Sequence, residues 1–153
     1  MRPLNEKATK VMNRLVRDLG SKEEDKIAAR FDRTNGYLPV CVERVGSLGP
    51  GTDIFSVAHY FVQNGDLMAD PEMEFMRTSK GEFYPMSYKL DSMGIYWVSI
   101  EPEEGAVAGW SLSVKKKMQD EQADFANGWM ENIEEQQDIF NSKLDEERPT
   151  RLT

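Results

Sequence analysis

The sequence is poor in the residues that most metal and nucleophile chemistry depends on. It holds one cysteine, Cys41, and one histidine, His59. A single cysteine excludes an intrachain disulfide and a thiolate zinc cluster, and a single histidine excludes a two-histidine metal site. Long apolar runs are missing too, since nothing approaches the ~18 apolar residues in a row that span a membrane. The opening residues Met1-Arg2-Pro3-Leu4-Asn5-Glu6-Lys7 lack the apolar stretch of a secretion signal, so a cytoplasmic, membrane-free protein is expected. Gly46, Gly49 and Gly51 fit no phosphate-binding fingerprint, and neither Ser99 nor Ser111 sits in a nucleophile elbow. No cofactor and no catalytic residue is therefore expected.

Positive charge is nearly absent from one long stretch near the end of the chain. Ten acids fall in residues 119–147 and only Lys143 opposes them, which gives −9 where the whole chain carries −8. The remainder is close to neutral. Such a segment repels nucleic acid and attracts basic protein surfaces, and a pI near 4.8 argues against direct nucleic-acid binding. A chain of 153 residues with 39% hydrophobic and 10% aromatic content can bury a core, so this is not a disordered acidic protein.

What is present reads as one domain over residues 1–153. Leu4, Ala8, Val11, Met12, Leu15, Val16 and Leu19 form one apolar stripe of an amphipathic helix, with Pro3 in its first turn and Gly20 as its stop. Lys7, Lys10, Arg14 and Arg17 make the opposite face. That face reads as solvated, or as a basic surface that docks the acidic arm or a phosphate backbone. Ser21 and Glu24 have capping-box spacing. A short strand at residues 26–31 is nevertheless preferred, because Asn35-Gly36 between apolar runs signals a hairpin. Strands are then predicted near residues 37–45, 72–77, 83–90 and 95–100, with Leu38, Val40 and Val42 on one face and Tyr84, Met86 and Tyr88 on one side, while residues 54–63, apolar on both faces, read as an interior strand covered on both sides. Residues 102–109 read as loop.

A second helical pattern starts near Ser113 and carries Val114, Met118, Phe125, Trp129, Ile133, Phe140 and Leu144. Unbroken, about 34 residues would reach ~51 Å, beyond the roughly 40 Å of a domain this size. A break or kink near Gly128, or an overhanging end, is expected, with residues 147–153 frayed. The fold class is α+β: an antiparallel meander of five or six strands, with the N-terminal helix and a long acidic C-terminal helix on one face.

The segment His59-Tyr60, Asn64-Gly65-Asp66 and Asp70-Pro71-Glu72-Met73, together with Phe125-Ala126, Trp129, Asn132 and Gln136, resembles an uncharacterised family of small plasmid- and phage-borne proteins. The resemblance implies a mobile-element origin, a bacterial host cell and an α+β fold, and it implies no activity. Small acidic proteins of such elements are often inhibitors of host defence, anti-CRISPR proteins included.

Two kinds of site follow. His59, Asp66, Asp70, Glu72 and Glu74 lie within sixteen residues and could centre a metal-dependent hydrolase or nuclease if they converged. Strand geometry lets Glu72 and Glu74 share a face, but puts His59 in an apolar setting with Phe55, Val57 and Phe61. His59 is then a buried histidine satisfied by backbone or by Asp66. Asn64, Gly65 and Asp66 form a turn, and Asp70, ahead of Pro71, ties the loop backbone. Cys41 reads as a structural thiol rather than a nucleophile paired with His59. The other site is Asp120, Glu121, Asp124, Glu131, Glu134, Glu135 and Asp138, a carboxylate row for a basic nucleic-acid-binding host protein such as a CRISPR effector. A structural subunit of a mobile element, a homodimer included, is the remaining reading. Lys115-Lys116-Lys117 is the one basic run and is electrostatically misplaced at a helix start. Met68, Met73, Met76, Met86 and Met93 gather round the hairpins. Trp97, Trp110 and Trp129 are core anchors, Trp110 serving as a binding anchor if exposed.

Overall fold

In the computed structural model, residues 1–20, 26–104 and 110–147 are described. The first helix, α1 (Glu6–Val16), is shorter at each end than the apolar stripe suggests. Pro3, expected in the first turn, lies ahead of it, and Asn5 caps the helix: the Asn5 side chain accepts a 2.8 Å bond from the Ala8 N–H, satisfying one of the orphan donors of the first turn. At the other end the chain leaves the helix before Gly20, and the Gly20 N–H donates to the Lys26 carbonyl instead. Ala8, Val11, Met12, Leu15 and Val16 form the buried face, as the spacing demands. Arg14, expected on the solvated face, is buried as well.

Six strands follow in a meander: β1 (Ala28–Phe31), β2 (Val40–Ser47), β3 (Asp53–Gln63), β4 (Asp66–Arg77), β5 (Phe83–Leu90) and β6 (Ile95–Val98). All neighbours are antiparallel and sheet order equals chain order. Asn35-Gly36 lies in the wide loop between β1 and β2 rather than forming a two-residue turn, so Leu38 is outside the strand and exposed. By contrast, Asn64 and Gly65 (φ 53° and 84°) do make a two-residue turn joining β3 and β4. Positive φ at both positions gives the turn whose twist matches the flanking strands. A bulge at Met86 breaks the alternation of β5: Glu74 faces Ser87 while Phe75 faces Pro85. Tyr84 and Met86 therefore pack on one face, and Tyr88 turns to the other.

One sheet face and both long helices enclose the main core. Phe31, Phe55, Phe75 and Phe83 are fully buried there, and each contributes about 2 kcal/mol by leaving water. Val57, Met73, Trp129, Met130 and Ile133 complete the contact between sheet and helix. The opposite face is half covered. The strand expected at residues 95–100 ends at Val98, and Ser99 leads into a separate hairpin, β7 (Ile100–Glu104) with β8 (Trp110–Val114). That hairpin sets Ile100, Leu112 and Val114 on Met76, Met86 and Ile54. Residues 102–104 are thus strand rather than loop, and Val114 is strand rather than helix.

Helix α2 runs without interruption from Lys116 to Gln137. The expected break at Gly128 is absent, because Gly128 lies on the outer surface with open space around it. The helix stops instead at Asp138, in left-handed conformation (φ 48°), and a short helix α3 (Ser142–Glu147) turns back. The buried stripe of α2 is Gln119, Gln122, Ala123, Ala126, Trp129, Met130, Ile133 and Gln137. Phe125 and Phe140, expected inside, are exposed.

Three of those buried residues are glutamines, and each bridges α2 to another element. Gln119 accepts from the Arg2 N–H and donates to the Arg2 carbonyl, both at 2.7 Å. Gln122 accepts from the Ser99 hydroxyl at 2.5 Å and donates to the Trp97 carbonyl at 3.0 Å. Gln137 accepts from the Arg33 N–H at 2.7 Å and donates to the Leu38 carbonyl at 3.1 Å. Irregular backbone beside the helix is thereby satisfied without water. The protein is a single α+β domain. No helix among the described residues is long and apolar enough to cross a membrane. Of residues 147–153, expected to be frayed, Glu147 is the last residue of α3; residues 148–153, residues 105–109 of the expected loop and the Trp110 side chain lie outside the described residues.

Candidate functional site

The outer face of α2 carries the carboxylates. Glu121, Asp124, Glu131 and Glu135 recur along one exposed ridge of the helix, with Asp138 at its end. Asp120 and Glu134 flank the ridge and are half-buried. The ridge is not a bare acidic arm. Arg2 pairs with Asp124, and Lys7 with Glu131 at 3.1 Å. These contacts raise the Arg2 and Lys7 pKa values, hydrogen bonding to the carboxylate being the main cause in each. The field of Glu134 and Glu135 also reaches Lys7. Of the basic face of α1, Lys7 reaches α2, Arg14 and Arg17 reach Asp145 of α3, and Lys10 pairs with Glu6 on its own helix. Among the described residues Asp120, Glu121, Glu134, Glu135 and Asp138 are in no ion pair.

Asp145, an acid of the same C-terminal segment but outside that row, belongs to α3. It turns inward, to within 2.5 Å of the Arg14 guanidinium, 3.0 Å of Arg33 and 3.9 Å of Arg17. Arg33 also donates to the Ile139 and Asn141 carbonyls, closing the C-terminal end of α2. Burial lowers the Arg33 pKa, opposed by the nearby Asp145.

The strand motif divides between the two sheet faces. His59 is on the helix side. Its Nδ1 lies 3.0 Å from the Pro39 carbonyl, and its ring meets Trp129 edge-on with centroids 5.5 Å apart. Cys41 is on the other side of the sheet, paired in register with Ala58, so it does not face His59. Burial raises the Cys41 pKa, partly offset by Arg30.

Asp70 and Pro71 lie inside β4 opposite His59, where the register slips and the strand carries an extra residue. The Asp70–Pro71 peptide bond is cis. Asp66 opens the ladder against Gln63. Among the described residues neither the Asp66 nor the Asp70 side chain ties a loop; it is Asp91 that accepts the Ala69 N–H, at 2.7 Å. Asn132 is exposed on α2, and the Gln136 carbonyl accepts the Thr34 hydroxyl.

Glu72 and Glu74 share the face away from the helices, as the strand period requires. Tyr60 donates to Glu72 at 2.6 Å and Ser56 at 3.3 Å, while Ser87 donates to Glu74 at 3.4 Å. Burial raises the Glu74 pKa above its ordinary 4.5, against the Ser87 bond and with help from Glu72. A depression of about 490 Å³ lined by Arg30, Cys41, Glu43, Leu67 and the Glu72 partners Ser56 and Tyr60 lies on this face, whereas Glu74 lines a separate one with Val45, Ile54, Met86 and Tyr96. His59 and the two glutamates therefore face opposite sides of one sheet, and the five residues of the hydrolase constellation do not converge. Among the described residues no three His, Cys, Asp or Glu side chains gather to hold a metal.

The chain belongs to the family described as Domain of unknown function (DUF6908), whose signature matches residues 10–139. No curated protein and no solved structure matches it. Both parts of the motif that marked the resemblance fall in that span, and the fold joins them: His59 on β3 touches Trp129 on α2, and Phe125 lies 6.0 Å from Trp129 between ring centroids.

Sequence reasoning missed two features. One is the Tyr60–Glu72 pair, which the bulge at Asp70-Pro71 brings into line. Nothing short of the register could reveal it. The other is an apolar groove between β6 and the start of α2. Its sequence signal was the four-residue run Ile95-Tyr96-Trp97-Val98, together with the basic run Lys115-Lys116-Lys117.

Proposed function

We propose that the protein acts without catalysis, as an acidic inhibitor that binds a nucleic-acid-handling host-defence complex through the outer ridge of α2 and blocks its nucleic-acid site. The observation that carries this reading is the set of unpaired carboxylates on one rigid helix. Glu121 and Glu135 are about 21 Å apart along the axis, a distance covered by about six phosphates of one duplex strand. Rigidity comes from burial of the opposite face and from the three glutamine bridges. Carboxylates held in advance lose little side-chain and backbone freedom on binding, so more of their attraction for a cationic groove is kept. The likeness to proteins of plasmids and phages directs the search for the target towards host defence, with a CRISPR effector as the concrete case.

The test is binding of the purified protein to a purified CRISPR effector complex at low and high salt, with and without competing target DNA. The variant Glu121→Gln/Glu134→Gln/Glu135→Gln/Asp138→Asn leaves the Arg2 and Lys7 contacts in place. Binding that is salt-sensitive, competed by DNA and lost in the variant supports the proposal. Binding equally tight in the variant overturns the mechanism.

A further inference from the structure

Strand β6 ends the six-stranded sheet and has no second partner strand among the described residues, although its Trp97 carbonyl also accepts the Gln122 side chain of α2. Proteins usually protect such an edge with charge, proline or a cover. Here the edge is Ile95-Tyr96-Trp97-Val98, without a charge, and Tyr96 and Trp97 are 62% and 50% exposed. Next to it a groove of about 310 Å³ has Tyr88, Met93, Ile95, Trp97, Met118 and Phe125 as its apolar walls, with Glu121 and Gln122 on the α2 side. Met93 is 70% exposed. Tyr88 stacks on Trp97 and meets Phe125 edge-on, with centroids 6.0 and 5.1 Å apart, which holds the aromatic walls in place. Lys115, Lys116 and Lys117 border the same region beside Trp97 and Met118. All three are exposed, and none is in an ion pair among the described residues. They stand at the N-terminal end of α2, where cations oppose the helix dipole and where Lys115 supplies no side-chain cap.

We infer that this edge and groove form a docking site for an extended, acidic segment of a partner protein. The segment adds as a strand to β6, sets alternate apolar side chains into the groove, and brings its carboxylates to Lys115, Lys116 and Lys117. Charge complementarity selects this occupant. In a chain of net charge −8, the three lysines are a local positive field that attracts carboxylates. Main-chain bonding along β6 supplies affinity whatever the side chains, and the groove selects apolar residues at every second position. The site is separate from the Glu131–Asp138 end of α2 and meets the acidic ridge only at Glu121, which borders the groove and the lysines.

Short synthetic peptides test it by fluorescence anisotropy. One alternates Leu and Phe with Asp and Glu, a second replaces the acids with Lys, a third scrambles the first, and a fourth carries N-methyl groups on the strand-pairing amides. The acidic alternating peptide is expected to bind, and the scrambled, basic and N-methylated peptides at least about tenfold more weakly. Lys115→Glu/Lys116→Glu/Lys117→Glu should weaken binding by at least about tenfold without lowering the thermal melt, since acids at a helix N-terminus favour the helix. Met93→Ser, at an exposed site, should weaken it without charge change, and keeps the test valid if a Trp97 variant does not fold. Equal binding of all four peptides, binding that survives both variants, preference for the basic peptide, or an oligothymidylate that binds in place of the peptides would each overturn the proposal. So would a dimer, seen by light scattering, that Met93→Ser dissociates, since the surface would then belong to self-association. The lysine variant leaves the α2 carboxylates untouched, so failure here does not bear on inhibitor binding through the ridge.

Discussion

The imidazole of His59 meets the indole of Trp129 edge-on, with ring centroids 5.5 Å apart. One residue comes from the middle of β3 and the other from the middle of α2. The contact fastens the long helix to the sheet at the point where β4 carries its extra residue. The histidine therefore serves the fold. Its Nδ1 faces the Pro39 carbonyl, and its ring packs on the helix.

Trp129→Ala should accordingly destabilise the fold by about 3–5 kcal/mol, the cost of removing a large buried side chain together with the cavity it leaves. Trp129→Phe keeps an aromatic ring and should cost less. Urea denaturation followed by circular dichroism measures both. A loss below about 1 kcal/mol for the alanine variant would show that the helix is held elsewhere.

Glu74 predicts a pH dependence. Its folded-state pKa is raised above the ordinary 4.5, chiefly by burial. Below pH 4.5 the folded and unfolded chains both hold it protonated, and its contribution to stability is fully present. As pH rises through the folded-state value, the buried side chain must charge and that contribution is lost. Glu74→Gln should raise the melting temperature at pH 7 and make no difference near pH 4. The gain should stay under about 1 kcal/mol, because the carboxylate keeps partial contact with solvent. A variant that melts lower at pH 7 would contradict this sign.

Among the described residues, Asp145 is the one carboxylate paired with the buried Arg14 and Arg33. Asp145→Asn leaves two buried guanidinium groups without their counter-charge and should cost about 3 kcal/mol. Hydrogen exchange should then show α3 and the end of α2 opening first. An Arg33→Met/Asp145→Leu double variant should recover part of the loss, since it leaves one fewer buried charge unpaired.

Gly128→Ala should stabilise the protein by about 1 kcal/mol. The residue is helical and exposed, and a Cβ there meets nothing within 4 Å. A thermal melt of the variant tests it, and a lowered melting temperature would mean that the outer face of α2 is covered in solution.

Much of the architecture was legible in the chain itself. Period-two alternation marked the central strands, and the Asn64-Gly65 turn was legible because two left-handed residues in succession admit few alternatives. The stripe of α1 was legible in the same way, apart from its ends. What failed was local inference where tertiary contacts decide. Val114 matched the helical period but joined a strand, because Ile100 pairs with it. Phe125 matched the apolar stripe, yet the helix rolled so that three glutamines face inward, each finding backbone partners that no sequence pattern reveals. Arg14 looked solvated until Asp145, far along the chain, turned back to meet it.

The sequence by itself determined the fold class, the order of the hairpins, the two amphipathic helices and the concentration of negative charge near the C-terminus, because each rests on short-range periodicity or on composition. Only the tertiary structure decided which acids stay unpaired, which side of the sheet each motif residue faces, and that Trp97 and three lysines border one groove. Those properties depend on strand register, on the bulges in β4 and β5 and on the roll of α2, all set by contacts between residues distant along the chain.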